Sequence, residues 1–467
     1  MSVISKTQLQ RQAEQLVTFV NMAPSPFHAI DVCRNWLRGA DFTELKEKKS
    51  WSGALKPNGK YFFTRNGSTI VAFAVGGKFR PGNGMSIVAA HSDSPCLKLK
   101  PVSKKKSSGM LQVGVQLYGG GLWHTWFDRD LSVAGRVMVR DDNGGYVSRL
   151  VTIKEPIMSI PSLAIHLDRT ANEAFKFNKE VHLTPVLATV SKAVNNESNS
   201  ETEDKFAHHP VLLERIAKQL DVKVGDIADF ELCLYDTQKA VIGGICNELI
   251  YGARLDNLNS SYCAIEALIN SVHEDLTDDT NVRMVALFDN EEVGSNTANG
   301  ADSALLESTI RRIQASCEGA GQTAFEETIA KSFLVSSDVA HAVHPNYSEK
   351  HEENHRPEMQ KGPTIKVNAN QRYATTAATS TILKEIASRN SIPLQEFVIR
   401  NDSSCGSTIG PLLSAQLGMR TIDIGNPILA MHSIREVCGA DDVALMVKLF
   451  ERFFAEFAEL DAKVQVD

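Results

Sequence analysis

A short apolar run, Val282–Phe288, leads directly into Asp289-Asn290-Glu291-Glu292-Val293-Gly294-Ser295. The run is partly β-branched and aromatic and is bounded by polar turn residues, which is the pattern of a buried strand. Its acids then emerge at the strand's C-terminal end, the edge of an open α/β sheet where ligand crevices form. Two adjacent carboxylates there repel each other unless a positive charge lies beside them, and a metal ion is the usual remedy. For a lone Glu-Glu pair, a solvated acidic turn capping the helix that follows is the more ordinary account. What separates the two readings is how many other strand ends in the chain stop at a metal-type residue.

Four more do. The run 85–90 ends at His91-Ser92-Asp93, and 332–337 ends at Asp338. Arg254-Leu255-Asp256-Asn257 stands just before a helical run from Ser260 to Val272, and Met431-His432-Ser433 follows the strand pattern 421–425. His91, Asp256, Glu291/Glu292, Asp338 and His432 thus share one description, a hard or imidazole ligand at or just past the end of an apolar run. Two imidazoles and several carboxylates without a thiolate suit zinc, and cobalt or manganese less tightly. So many carboxylates are best used by two ions ~3.5–4 Å apart that share a bridging carboxylate.

The same strand-and-helix rhythm sets the domain plan. At 467 residues the chain exceeds what one hydrophobic core usually serves. Helical spacing runs from residue 5 to 40 with a break at Ala23-Pro24-Ser25-Pro26, where Ser25 suits an N-cap and Pro26 the first turn. Strands at 61–64 and 68–75 join through Asn66-Gly67, a hairpin signal. From about 97 to 247 short strand-like runs at 110–117, 131–140 and 146–153 replace the βα alternation, and after Gly243-Gly244 that alternation returns. The expected architecture is α/β: a catalytic domain of 1–96 and 248–467 with a central mixed β-sheet flanked by helices, plus an inserted β-rich domain, 97–247. Residues 192–205 carry almost nothing apolar and read as a disordered surface loop.

Other function classes recede on composition. A net charge of −7 offers no footprint for nucleic acid, and the one basic cluster, five lysines between Lys98 and Lys106, reads as a solvated turn. No run approaches the ~18 apolar residues that cross a bilayer, and the N-terminus lacks a basic-then-apolar signal. The eight cysteines are scattered without CxxC spacing, which suits reduced thiols in the cytoplasm.

Seven segments carry a resemblance to a known family. Ala90-His91-Ser92-Asp93-Ser94-Pro95, Arg254-Leu255-Asp256-Asn257, Asp289 through Ser295, Ser336-Ser337-Asp338-Val339-Ala340-His341 and Met431-His432-Ser433-Ile434-Arg435-Glu436 resemble the metal-site motifs of the aspartyl aminopeptidases, a family of dinuclear zinc exopeptidases. The stretch 118–130 and Gly362-Pro363-Thr364-Ile365-Lys366-Val367-Asn368 resemble it too, in the same order over nearly the full chain.

The resemblance implies a zinc-peptidase-like fold with a dimerisation and substrate-lid role for the inserted domain. Two Zn2+ per subunit are implied, with Co2+ or Mn2+ as substitutes. Asp256 would bridge the ions, His91 and Asp338 would complete one, Glu292 and His432 the other, and Glu291 would be the general base. Neighbouring residues of a turn do not easily present both carboxylates to one ion, so that division is chemically reasonable. Asp93, two residues past His91 on an extended chain, would hold the imidazole N–H. The substrates implied are peptides with an unblocked N-terminal Asp or Glu, hydrolysed at the first peptide bond by a water bridged between the ions. Lys366 would receive the acidic side chain, with His341 and Tyr373 near the carbonyl oxygen. His166, resembling a family histidine of the second domain, would reach a neighbouring subunit's site, and self-association into a homododecamer built from dimers is implied. His124 and His344 receive no role. A dinuclear zinc deacylase or carboxypeptidase on the same scaffold is the competing enzyme class, although it needs an arginine-centred pocket for a free carboxylate. A metal-free scaffold protein is the competing non-enzyme class.

Overall fold

A computed structural model describes residues 4–194, 207–273 and 276–465. Most of the polar stretch 192–205 lies outside the described residues. By backbone proximity the chain divides into two units, Met1–Asp93 with Ala240–Met431 and Glu436–Asp467, and Ser94–Lys239 with His432–Arg435.

The first unit is built on a nine-stranded mixed sheet. Its order is Thr43–Glu44, Lys60–Arg65, Thr69–Val75, Val282–Phe288, Met85–His91, Phe333–Ser337, Arg420–Gly425, Thr364–Lys366, Gln395–Phe397. The four central strands from Val282–Phe288 to Arg420–Gly425 are mutually parallel, so their C-terminal ends share one edge. Parallel strands buried on both faces read as continuous apolar runs, and alternate side chains divide between two cores. Met85, Ile87, Ala89, Met284 and Ala286 pack with Leu305, Ile310, Ile313 and Leu413 on one side. Val88, Ala90, Val285 and Leu287 pack on the other with Leu16, Phe19, Leu258, Leu268 and the long C-terminal helix Ala440–Asp461. Arg283, in the strand Val282–Phe288, is buried, and it donates to the Asp279 carboxylate at 2.8 Å and the Ser271 carbonyl at 2.6 Å.

Helix ends follow local chemistry. Ser25 caps the helix Pro26–Gly39 with proline in its first turn, and Thr376 caps Ala377–Arg389 in a reciprocal pair with Thr379. A second, five-stranded sheet in this unit runs Val241–Gly243, Leu249–Gly252, Glu436–Gly439, Pro427–Leu429, Ala340–His341.

The second unit is a six-stranded sheet in the order Tyr146–Thr152, Leu131–Arg140, Ile227–Asp236, Cys96–Ser107, Met110–Tyr118, Val186–Thr189, antiparallel throughout. Its inward residues Leu97, Val113, Val133, Val137, Leu232 and Leu234 pack with Leu212 and Ile216 of the helix Pro210–Leu220.

One expectation fails here. The lysines between 98 and 106 lie on the strand Cys96–Ser107 and not in a turn. Leu97 and Leu99 alternate inward between them, Lys98 rests over the Tyr118 ring at 3.8 Å, and Lys100 pairs with Glu180 at 2.9 Å. A register shift between Leu99 and Lys104 interrupts the alternation, which hides the strand from a reading of the sequence.

Phe453 is fully buried in the C-terminal helix among the rings of Phe333, Phe454 and Phe457, with centroids 5.5–5.8 Å away. Phe453→Ala is expected to destabilise the protein by about 3–5 kcal/mol, read as a lower denaturant midpoint with an unchanged slope.

Candidate active site

Three adjacent parallel strands deliver the central residues. His91 is the last residue of Met85–His91, Asp338 directly follows Phe333–Ser337, and Glu291 and Glu292 form the 3-10 turn three residues past Phe288. Asp256 comes from above, at the start of the helix Leu255–Ser271, where Asp256 and Asn257 are non-helical and joined by a cis peptide bond. Its position is held on both sides: the Asp256 amide N–H donates to the Glu436 carboxylate at 3.0 Å, and the Asn257 side chain donates to the Ser337 carbonyl at 2.8 Å.

The buried imidazole of His91 is the centre of this group. Its Nδ1 lies 3.1 Å from the carbonyl oxygen of Asp93 and 3.4 Å from the Asp93 carboxylate. Both are acceptors, so Nδ1 carries the hydrogen and Nε2 points the other way. Nε2 faces three carboxylate oxygens there: Asp256 Oδ1 at 3.4 Å, Glu291 Oε2 at 3.8 Å and Asp338 Oδ1 at 3.8 Å. One ligand atom each from His91, Asp256 and Asp338 fall within 4.8 Å of one another, and the same holds for His91, Glu291 and Glu292.

The charges in this pocket do not balance among themselves. Burial pushes the Glu291 carboxyl up to about 8, against the attraction of His91 and with the repulsion of Asp338, Asp93 and Asp256. Burial alone would lower His91, but Glu291, Asp256, Asp338 and Asp93 raise it well above the usual imidazole range. Without a cation the imidazole must hold a proton between three acids. A divalent ion at that place answers the same field, and the donor set of imidazole and carboxylates is the one zinc takes. The residues therefore fit a metal.

Asp93 has a second task that its spacing did not disclose. Its two carboxylate oxygens accept the backbone N–H groups of Glu291 and Glu292, each at 3.1 Å, so one side chain orients His91 and the acidic turn together. Glu436, buried behind Asp256, is the other functional residue missed by sequence reasoning. The only hint was its place at the end of the segment that carries His432.

Lys366 is buried, and its ammonium donates to the Val339 carbonyl at 3.0 Å and lies 3.7 Å from Asp338 Oδ2. It sits 5.3 Å from the centre of the buried Tyr373 ring. Tyr373 and the exposed His341 both pack edge-on against Phe397, at 6.5 and 5.6 Å. His344 is tied within its own loop, its amide donating to His351 and its Nδ1 accepting from Asn346.

Two site candidates belong to the second unit. His432 opens the stretch 432–435, and its Nδ1 lies 3.1 Å from the Gly120 carbonyl while its own carbonyl accepts from Leu122. The carbonyl acceptor places the imidazole lone pair on Nε2. The neighbouring glycines are required by the backbone: Gly119 takes a φ of 78°, and a side chain at Gly121 would stand 2.8 Å from the Trp123 ring. His166 lies on an exposed loop beside Leu163, Ile165 and Leu167, which are 61%, 44% and 75% exposed. His124 lies in the 3-10 turn Trp123–Trp126.

The sequence model of the aminopeptidase I zinc metalloproteases (M18) matches residues 19–454, and the chain belongs to that family. It is thus a zinc-dependent aminopeptidase by class. Among its relatives, the aspartyl aminopeptidase of Aspergillus oryzae is 51% identical over 492 residues, covering 98% of each chain. A cryo-EM structure of the Ape4 and Nbr1 complex matches with a TM-score of 0.96 at 45% identity, covering 100% of this chain and 90% of that one. The mApe1 dodecamer of S. cerevisiae matches with a TM-score of 0.86 at 32% identity over 97% and 99% of the two chains. Among the described residues no helix is long and apolar enough to cross a membrane.

Glu436 holds Asp256 through a backbone amide, so the chemistry needed is an acceptor and not a charge. Glu436→Gln is expected to keep most bound zinc after dialysis, whereas Glu436→Ala should lose most of it, as measured by elemental analysis of the purified protein.

Proposed function

We propose that the chain removes an unblocked N-terminal Asp or Glu from peptides, hydrolysing the first peptide bond at a centre of two zinc ions. The observation that carries this reading is the convergence of Asp256, Asp338 and Glu291 on the Nε2 face of His91. The ligands we assign are Asp256 to both ions, His91 and Asp338 to one, Glu292 and His432 to the other. Bound ions would supply Lewis acidity that lowers the pKa of the attacking water and polarises the scissile carbonyl.

The chain's own groups then handle protons and orientation. Glu291, its turn fixed by Asp93, takes the proton of the attacking water and passes it to the departing amine. Tyr373 and His341 face the carbonyl oxygen as donors. Lys366 presents the only kind of group that rewards an acidic first side chain, a desolvated cation beside an aromatic wall. Carboxylates near the ions receive the free α-amine, which limits cleavage to the first residue.

Assembly belongs to the same proposal. A homododecamer of dimers, with His166 completing a neighbour's pocket, is supported by the dodecameric S. cerevisiae neighbour and by the exposed apolar side chains around His166. A cytoplasmic location is supported by the scattered cysteines, which form no disulfide among the described residues. Co2+ and Mn2+ are proposed as substitutes for zinc because they take the same ligands.

Turnover of an aspartyl anilide together with zinc content tests the assignment. Glu291→Gln should keep zinc and lose about 10²–10⁴ in kcat, and Asp256→Ala should lose zinc as well. Near wild-type turnover in Glu291→Gln would remove Glu291 as the base. Lys366→Met should narrow the preference for an aspartyl over an alanyl anilide by at least about tenfold, the equivalent of about 1.4 kcal/mol.

A further inference from the structure

Behind the Lys366 and Tyr373 wall lies a carboxylate that the mechanism above does not use. Asp423, in the strand Arg420–Gly425, is fully buried. One of its oxygens accepts the Ala374 amide at 2.6 Å, the other accepts the Thr408 hydroxyl at 2.6 Å, and its own amide donates to Thr375 Oγ1 at 3.0 Å. Two loops meet at this one residue. The first, 372–376, carries Tyr373. The second, 405–408, leads into the helix Ile409–Leu417, whose N-cap is Thr408. The loops are stitched again nearer the surface, where the Ser407 hydroxyl donates to the Arg372 carbonyl at 3.0 Å.

The space around Asp423 is shaped to admit it. A side chain at Gly410 would stand 2.3 Å from its carboxylate, so the helix can approach only because that position has none. Burial raises the carboxyl, while Ser336, Thr408, the Ala374 amide and the nearby Lys366 pull it down. Burying an ionisable group costs stability even when it is hydrogen-bonded. What is gained in return is the tie between two loops, one of which carries Tyr373 of the proposed pocket.

We propose that Asp423 is the positioning residue of the wall that receives the peptide's first side chain: by fixing the 372–376 and 405–408 loops, it holds Tyr373 against Lys366 and so sets the preference for an acidic first residue. This rests on the reading of Lys366 and Tyr373 given above. Asp423 touches neither substrate nor metal ligand in this account. Its removal therefore acts on substrate fit and not on the centre around His91.

The test compares aspartyl and alanyl anilides on the full-length protein, with zinc content and thermal midpoint measured alongside. Asp423→Ala is expected to raise KM for the aspartyl anilide at least tenfold and for the alanyl anilide no more than about threefold, to lower kcat on the two by a similar factor as Tyr373 loses its alignment with the carbonyl oxygen, and to leave zinc content as in the wild type. Asp423→Asn, which still offers an oxygen to the Ala374 amide, should recover most of the preference. Thr375→Val and Thr408→Val each cut one tie and leave the acid in place, so they carry the same test if the alanine variant does not fold. Equal losses on both substrates, or a preference that survives Asp423→Ala, would overturn the proposal alone. A wild-type protein with no preference for the aspartyl anilide would overturn the reading beneath it, and this proposal with it.

Discussion

Repulsion among buried carboxylates is the constraint around which this site is arranged. Ligand oxygens held within 4.8 Å of one another repel by about 3–4 kcal/mol per ionised pair at an effective dielectric near 20. Two or three such pairs match the entire net stability of a typical domain, about 5–15 kcal/mol. One imidazole cannot offset them, because His91 is a single cation at most and has a burial cost of its own. A divalent ion between them adds an attraction to each carboxylate that outweighs the repulsion within the pair. The carboxylates themselves are held in place by the surrounding structure.

What resists the repulsion is mostly backbone. The parallel strands ending at Phe288, His91 and Ser337 are neighbours in one sheet, and ladder hydrogen bonds fix their ends within strand spacing of each other. Asp93 adds two hydrogen bonds to the acidic turn, and Glu436 adds one to Asp256. These are acids whose acceptor capacity is filled by backbone N–H groups. They add negative charge to the region, yet each converts that charge into orientation of a neighbour.

Much of this was legible in the sequence, for reasons that differ by element. The central strands were readable because strands buried on both faces must be continuous apolar runs, and their ends were readable because polar residues follow immediately. The strand Cys96–Ser107 was not, since exposed lysines and a register shift break the pattern that identifies a half-buried strand. Glu436 and Asp423 were also out of reach. Each acts through a backbone amide far away in the chain, Asp256 in one case and Ala374 in the other, and nothing in a local pattern marks an acceptor whose donor is a main-chain N–H. Asp93 fell between these cases: its two-residue spacing from His91 pointed at the imidazole, but its grip on residues 291 and 292, nearly two hundred positions on, required the fold.

Asp338 joins the two halves of the site. One of its oxygens lies 3.8 Å from His91 Nε2 and the other 3.7 Å from Lys366 Nζ, so the same carboxylate faces the centre and the cation of the pocket. On the proposed assignment an ion bound at Asp338 would draw on its negative charge, and Lys366 would then retain less local compensation and a stronger field toward an incoming carboxylate. A site with its cation far from the centre would lack that coupling. On the proposed assignment the centre and the pocket share a residue, so a metal at the centre would strengthen the pocket's attraction for an acidic first side chain.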